Sequence, residues 1–186
     1  MTTDVAARSG LDTTIPELLE RFRAQWGKVK LDVGCGNQPR GEDHITVDRY
    51  LGDGPAPDIQ ADMWEIPVPE GSVDELWCSH ALEHVPMRQV PDVLKEFLRI
   101  LTPGGKAIIS VPNFDYVARY WLTGGDRTWA EQMVFGLQTH EGEFHKAAWT
   151  ASVLRADCEG AGFTVKRVEM RWTHNQETLM AVVVKP

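Results

Sequence analysis

Lys30-Leu31-Asp32-Val33-Gly34-Cys35-Gly36-Asn37, followed by Ile45-Thr46-Val47-Asp48, is the stretch that decides how this chain folds. A short apolar strand runs into two glycines, and a second strand-like run ends in an acid. Glycines at such a turn let the backbone approach a ligand where a Cβ would collide. An acid at the end of the neighbouring strand is placed to accept both hydroxyls of a ribose. A glycine pair alone also ends strands for purely structural reasons. Asp48, in step behind it, favours a nucleoside site.

The kind of nucleoside follows from what lies between the two strands. A pyrophosphate cofactor needs G-x-G-x-x-G opening a helix whose N-terminus faces the phosphates. Here Gly36 is followed by Asn37-Gln38-Pro39-Arg40-Gly41-Glu42-Asp43-His44, and the next strand begins at once. Pro39 and Gly41 leave no room for a crossover helix, and Glu42 and Asp43 add negative charge. Asp48 also arrives earlier than the roughly 20-residue spacing of a dinucleotide fingerprint. A nucleoside without phosphates is expected, and S-adenosylmethionine (SAM) fits.

Composition narrows the class further. The 186 residues suit one domain with a single buried core. With 27 acidic against 19 basic residues the net charge is -8, and no basic run is present, which argues against general nucleic-acid binding. Cys35, Cys78 and Cys158 are scattered, with neither zinc spacing nor a disulfide framework, so reduced thiols in a cytoplasmic setting are expected. Met1 to Gly10 lacks an apolar export core, and no run of about 18 apolar residues occurs, so no membrane association is expected.

Read outward, Met1 to Gly10 is expected to be a tail. Asp12-Thr13-Thr14 offers N-caps and Pro16 suits a first helical turn. Leu18, Leu19, Phe22 and Trp26 then form an apolar stripe that should pack on the sheet and close over the cofactor. Strands are expected at Lys30 to Val33, Ile45 to Asp48, Ile59 to Ala61, Val73 to Ser79 and Ala107 to Val111. Leu51 to Pro57 reads as a loop. A helix carrying Val90, Val93, Leu94, Phe97, Ile100 and Leu101 should stop at Thr102-Pro103-Gly104-Gly105. The segment 113–149 is too long and too aromatic for an ordinary connection. It is expected to be a substrate-side insertion with short helices around Tyr116 to Leu122 and Trp129 to Phe135. A helix from Ala151 to Glu159 and a strand pair, Thr164 to Trp172 and Thr178 to Val184, complete the chain.

Leu31-Asp32-Val33-Gly34-Cys35-Gly36, Asp48, Ala61-Asp62, Ser79-His80-Ala81-Leu82-Glu83-His84-Val85 and Leu101-Thr102-Pro103-Gly104-Gly105 together resemble class I SAM-dependent methyltransferases. The short path from Gly36 to Asp48 is similar to that of small bacterial members tied to glycan or natural-product pathways. The resemblance implies a Rossmann-like α/β sandwich over residues 1–186. Its seven-stranded sheet would have order 3-2-1-4-5-7-6, the last strand antiparallel. It also implies roles. Gly34, Cys35, Gly36 and Asp32 would serve the methionine portion, Asp48 the ribose, Asp62 and Met63 the adenine, and Ser79 and His80 the methionine end. Methyl transfer to a small-molecule acceptor through O, N or C is the implied activity, with S-adenosylhomocysteine (SAH) as product. A SAM-binding protein without turnover is the alternative.

Two histidine pairs need separate reading. His80-Ala81-Leu82-Glu83-His84 matches the H-x-x-E-H pattern of inverted zinc peptidases, which requires both histidines on one helix and a third ligand. The motif here leaves a strand, and Pro86 disfavours helix at Val85. No metal is therefore expected, and His84 reads as a structural histidine bonded to backbone. His140 and His145 would lie about 140 degrees apart on a helix, so they are no helical metal pair either. In a loop on the substrate side, either is a candidate general base, with His145 favoured by its apolar neighbours Phe144 and Trp149. Tyr116, Tyr120 and Trp149 are the candidate acceptor contacts. The same aromatics also read as the core of an inserted helical cap.

Overall fold

The computed structural model describes residues 13–49, 54–173 and 176–186. The expected N-terminal tail, part of the Leu51 to Pro57 loop and the tip of the last hairpin lie outside them. The elements run α1 (Ile15–Trp26), β1 (Lys30–Val33), β2 (Ile45–Asp48), β3 (Ile59–Gln60), β4 (Val73–Ser79), α2 (Val90–Ile100), β5 (Leu101–Pro112), α3 (Phe114–Leu122), α4 (Arg127–Phe135), α5 (Ala151–Gly160), β6 (Thr164–Thr173) and β7 (Gln176–Val184). The seven strands form one sheet of order β3-β2-β1-β4-β5-β7-β6. β1 to β5 pair in parallel, and β7 is antiparallel to both β5 and β6.

Central strands of a parallel sheet are covered on both faces and therefore read as nearly continuous apolar runs. Leu31, Val33, Ile45, Val47, Leu76, Cys78, Ala107, Ile109 and Val111 are all buried. From α1, Leu18, Leu19 and Phe22 join this core, as do Val90, Val93, Leu94, Phe97 and Ile100 of α2 and Leu154 of α5. Burying a Leu, Ile or Phe side chain stabilises by about 1.5–3 kcal/mol. α1 starts where expected: Glu17 reaches back to accept from the Thr14 backbone N–H (2.8 Å) and hydroxyl (2.9 Å). A helix start held in this way needs no partner from the sheet.

The structure corrects several boundaries. α2 ends at Ile100, and β5 begins at Leu101 rather than Ala107, so Thr102-Pro103-Gly104-Gly105 lies within the strand. The register explains why a stop signal is tolerated there. Val73 pairs with Leu101 and Glu75 with Lys106, so the intervening residues of β5 bulge out of the ladder. Gly104 takes φ 77° in this bulge, a conformation that glycine adopts without strain. Its N–H donates to the Lys185 carbonyl (3.0 Å), and the Lys185 N–H donates to the Gly105 carbonyl (2.9 Å), which ties the bulge to the end of β7. β3 ends at Gln60 rather than Ala61. Trp26 is 42% exposed and does not extend the buried stripe of α1. Nor does α1 supply lining to the two cavities described below.

One buried network sets the position of β2. Asp58, only 6% exposed, accepts from the Thr46 backbone N–H (2.9 Å) and hydroxyl (2.8 Å), while its own N–H donates to Thr46 Oγ1 (2.8 Å). This fixes the segment entering β3 against the middle of β2. Removing the carboxylate strands two buried donors, at a cost of about 1–3 kcal/mol for each unsatisfied group. Asp43, by contrast, holds Lys30 at 2.6 Å with a third of its side chain exposed, and such pairs contribute at most about 1 kcal/mol. Asp58→Ala is expected to lower unfolding stability by about 2–4 kcal/mol in urea titrations, and Asp43→Ala by less than about 1 kcal/mol. Equal losses would show that the Thr46–Asp58 network does not set the position of β2.

Candidate functional site

The site is assembled where β1, β2, β3 and β4 end. β1 hands over to Gly34, whose N–H extends the ladder by donating to the Val47 carbonyl (2.8 Å). Gly34 has φ 71°, and a Cβ built there would stand 2.3 Å from the Ala81 Cβ. Both the backbone angle and the contact thus require glycine. Gly36, with φ 52°, donates its N–H to Asp48 Oδ2 at 2.9 Å. The acid that ends β2 therefore holds the glycine turn that ends β1. Asp32, buried, accepts from the Arg40 N–H (2.9 Å), and the Arg40 guanidinium lies over the Trp77 ring, 3.7 Å from its centroid. These contacts secure the helix-free connection from Asn37 to His44.

A cavity of about 540 Å³ opens above this turn. Asp48, Asp62, Met63 and His80 line it, and residues from the loop His140 to Glu143 close its far side. The Ala61 N–H donates to the Asp48 carbonyl (3.0 Å), which keeps the ends of β2 and β3 together and brings Asp48 and Asp62 to one wall. Arg49 approaches Asp62 Oδ1 at 3.3 Å.

A second cavity, about 630 Å³, lies beside the first and shares Gly34, Gly36, His80, His84 and Glu143 with it. Asp32, Cys35 and Ser79 line it, together with Glu83, His145 and Gln176. Ser79 Oγ accepts from Ser110 Oγ (2.9 Å). His80 sits in the left-handed region at φ 51°, with Thr178 Oγ1 at 3.2 Å from Nε2 and Glu83 Oε1 at 3.4 Å from Nδ1. Leu82–His84 is a single 3-10 turn. His80 and His84 therefore do not share a helix, and the arrangement required by the inverted-peptidase pattern is not formed.

The histidines differ in which nitrogen is basic. His145 places Nδ1 at 2.8 Å from the Met133 carbonyl, and His84 places Nδ1 at 3.2 Å from the Phe144 carbonyl. A carbonyl only accepts, so each Nδ1 carries the proton and each neutral ring keeps its lone pair on Nε2. Burial holds the His145 pKa below the usual histidine value, against the opposing pull of Glu83. His140 is arranged the other way. Its Nδ1 accepts from the Gly142 N–H (3.1 Å), so its lone pair is committed to the backbone.

Of the residues singled out in the sequence, Asp48, Asp62 and Met63 meet at the first cavity. Asp32, Cys35, Ser79 and His145 meet at the second, and Gly34, Gly36 and His80 stand between the two. His140 lines the first cavity, not the second. Tyr116, Tyr120 and Trp149 line neither. Tyr116 and Tyr120 pack with Trp129, and Tyr116 also meets Trp172 edge-on. Trp149 is 3% exposed in the core, and its indole N–H donates to Asp157 (2.8 Å). Glu83 and Gln176 were not anticipated as lining. Glu83 was visible only as part of the H-x-x-E-H pattern, and Gln176 as one of several polar residues in the final turn.

Comparison with known proteins agrees with this architecture. A family profile described as "Methyltransferase domain" matches residues 43–109. Methyltransferase GfsG of Streptomyces halstedii is 28% identical over 116 residues, a match that spans 50% of this chain and 41% of that protein. Among solved structures, the PH0226 protein of Pyrococcus horikoshii superposes with a TM-score of 0.62 at 15% identity, covering 92% of this chain and 89% of that one. A SAM-dependent methyltransferase of Archaeoglobus fulgidus gives 0.61 at 16% identity, covering 92% and 95%. The 1,6-didemethyltoxoflavin-N1-methyltransferase of Burkholderia thailandensis, solved with 1,6-didemethyltoxoflavin and SAH, gives 0.57 at 19% identity, covering 98% and 80%. The β3-β2-β1-β4-β5-β7-β6 sheet is thus the fold of SAM-dependent methyltransferase structures, and its segment 43–109 matches the methyltransferase-domain profile.

Proposed function

We propose that this protein transfers a methyl group from SAM to a small-molecule acceptor. The observation that carries the reading is the pairing of two cavities at the strand ends. One is walled by Asp48 and Asp62, and the other adjoins it across Gly34, Gly36 and His80. The residues present fit a nucleoside without phosphates. Carboxylates at the ends of β2 and β3 suit ribose hydroxyls and an adenine amino group. The connection between β1 and β2 contains no helix whose N-terminus would receive a phosphate. Asp48 would hold the ribose, Asp62 and Met63 the adenine, and the turn Gly34 to Gly36 with Asp32 the methionine portion. The second cavity takes the acceptor. The Burkholderia 1,6-didemethyltoxoflavin-N1-methyltransferase, solved with 1,6-didemethyltoxoflavin and SAH bound, supports this substrate class.

Bound SAM supplies a methyl group already activated on a sulfonium, so the protein's task is chiefly alignment and exclusion of water. Alignment is worth up to about 7–11 kcal/mol of barrier, and a positioned base about 10²–10⁴-fold in rate. Of the two candidate bases, His145 is the one assigned. Its lone pair is on Nε2, its Nδ1–H is anchored on Met133, and burial favours its neutral form. The lone pair of His140 is already engaged by Gly142.

Two outcomes test the assignment. Asp48→Ala removes an acceptor of charge-assisted hydrogen bonds worth about 1.5–3 kcal/mol each. It is expected to weaken SAH binding by about one to three orders of magnitude in calorimetry; near-wild-type affinity would exclude Asp48 from the ribose site. His145→Gln is expected to leave SAH affinity nearly unchanged. With a competent acceptor, it should lower kcat by about 10²–10⁴-fold. A wild-type kcat would leave the reaction dependent on alignment alone.

A further inference from the structure

Glu83 is the group in the second cavity that nucleoside binding does not explain. Its side chain is 2% exposed. Oε1 faces His80, while Oε2 is buried with no hydrogen-bond partner among the described residues. A buried carboxylate oxygen left in this way is costly unless a cation or donor meets it. The groups around it are two imidazoles. His84 and His145 stack edge to face with ring centroids 5.0 Å apart, and each donates Nδ1–H to a backbone carbonyl. That second contact is the one that metal-binding histidines make, because it fixes the tautomer and leaves Nε2 for the ion.

We propose that Glu83, His84 and His145 form a binding site for a divalent transition-metal ion, with zinc as the type case. One donor atom from each of the three lies within 4.8 Å of the others. Zinc takes nitrogen and oxygen ligands at about 2.0–2.2 Å, so donors around it stand about 3.3 Å apart. The three groups thus close on an ion by ring and carboxylate rotations of roughly an ångström or more, starting from that spacing. The backbone already holds the two segments in register. The Glu83 carbonyl accepts from the Lys146 N–H (2.7 Å) and the Ala147 N–H (3.2 Å), so the stretch carrying Glu83 and His84 is tied to the backbone that directly follows His145. Two imidazoles and one carboxylate suit zinc and its neighbours, not magnesium or calcium, which prefer oxygen. All three side chains line the second cavity, which leaves the remaining coordination positions facing the acceptor space. The ion would occupy the same Nε2 lone pair that takes a proton in the metal-free protein. Metal loading and base action at His145 are therefore mutually exclusive.

Metal binding rests on this geometry alone and not on the methyl-transfer reading, so the test reads the two separately. The full chain, stripped with a chelator, is titrated with zinc alone against a chromophoric competitor, and SAH affinity is measured on the same samples. One zinc per chain is expected. Loss of an outer-shell partner typically costs 10–100-fold in metal affinity, so His84→Gln and His145→Gln should each weaken zinc by at least about 100-fold. SAH binding in His145→Gln should stay near wild type, which also verifies that the variant is folded. Cobalt in place of zinc should give the visible absorption of a four- or five-coordinate site in the wild type and lose it in Glu83→Gln. Failure of the wild type to bind zinc at micromolar concentration, or wild-type zinc affinity in both histidine variants, would overturn the proposal. Either result with SAH binding intact would leave the nucleoside site standing.

Discussion

The hydrogen bond from the Gly36 N–H to Asp48 Oδ2 joins the turn after β1 to the end of β2, and the rest of the site depends on it. A connection of eight residues, Asn37 to His44, has no helix to brace it. It is held instead by acids: Asp48 at Gly36, Asp32 at Arg40, and Asp43 at Lys30. Asp48 and Asp32 are short and carry their carboxylates close to the backbone N–H groups they accept from, so these two contacts order no long side chain. Gly34 then fits against Ala81 with no room for a Cβ, which brings the β1 turn into contact with the segment leaving β4. The two cavities meet along that contact.

Most of the sheet was legible because strand ends carry strong chemical marks. β1, β2 and β4 have the bounds expected from apolar runs that terminate in glycine, aspartate or serine. The start of β5 was not legible. Proline and two glycines there normally mean a stop, and the pairing of Leu101 with Val73 and of Lys185 with Gly104 and Gly105 shows that the strand continues through a bulge. Trp26 falls on the expected stripe of α1, yet the helix ends there and its ring remains at the surface. Periodicity says which face a residue occupies but not how far the core extends beneath it.

The site divides along the same line. Asp48 closes β2 and Asp62 follows β3 by two residues, and parallel pairing of the two strands puts such residues on one wall. Glu83 and His145 were not readable as neighbours. Their contact depends on backbone hydrogen bonds between Glu83 and the Lys146–Ala147 pair, which no periodicity announces. The aromatic residues of α3 and α4 mislead in the opposite sense. Tyr116, Tyr120 and Trp129 pack on one another and stabilise that helix pair. The less conspicuous loop that follows, His140 to Lys146, reaches both cavities, and of the helix pair only the end of α4, at Gln132 and Met133, lines one of them. Aromatic density marked where a subcore forms, while the polar loop lines the cavities.

In the binding mode proposed above, a nucleoside cofactor lies across the ends of β1, β2 and β3 with its reactive end toward the second cavity. A crystal structure of the protein with SAH decides this. Ribose hydroxyls are expected on Asp48, adenine against Asp62 and Met63, and the sulfur opening toward the space lined by Ser79, His80 and His145. SAH bound away from Asp48, or with its sulfur turned from that space, would contradict it.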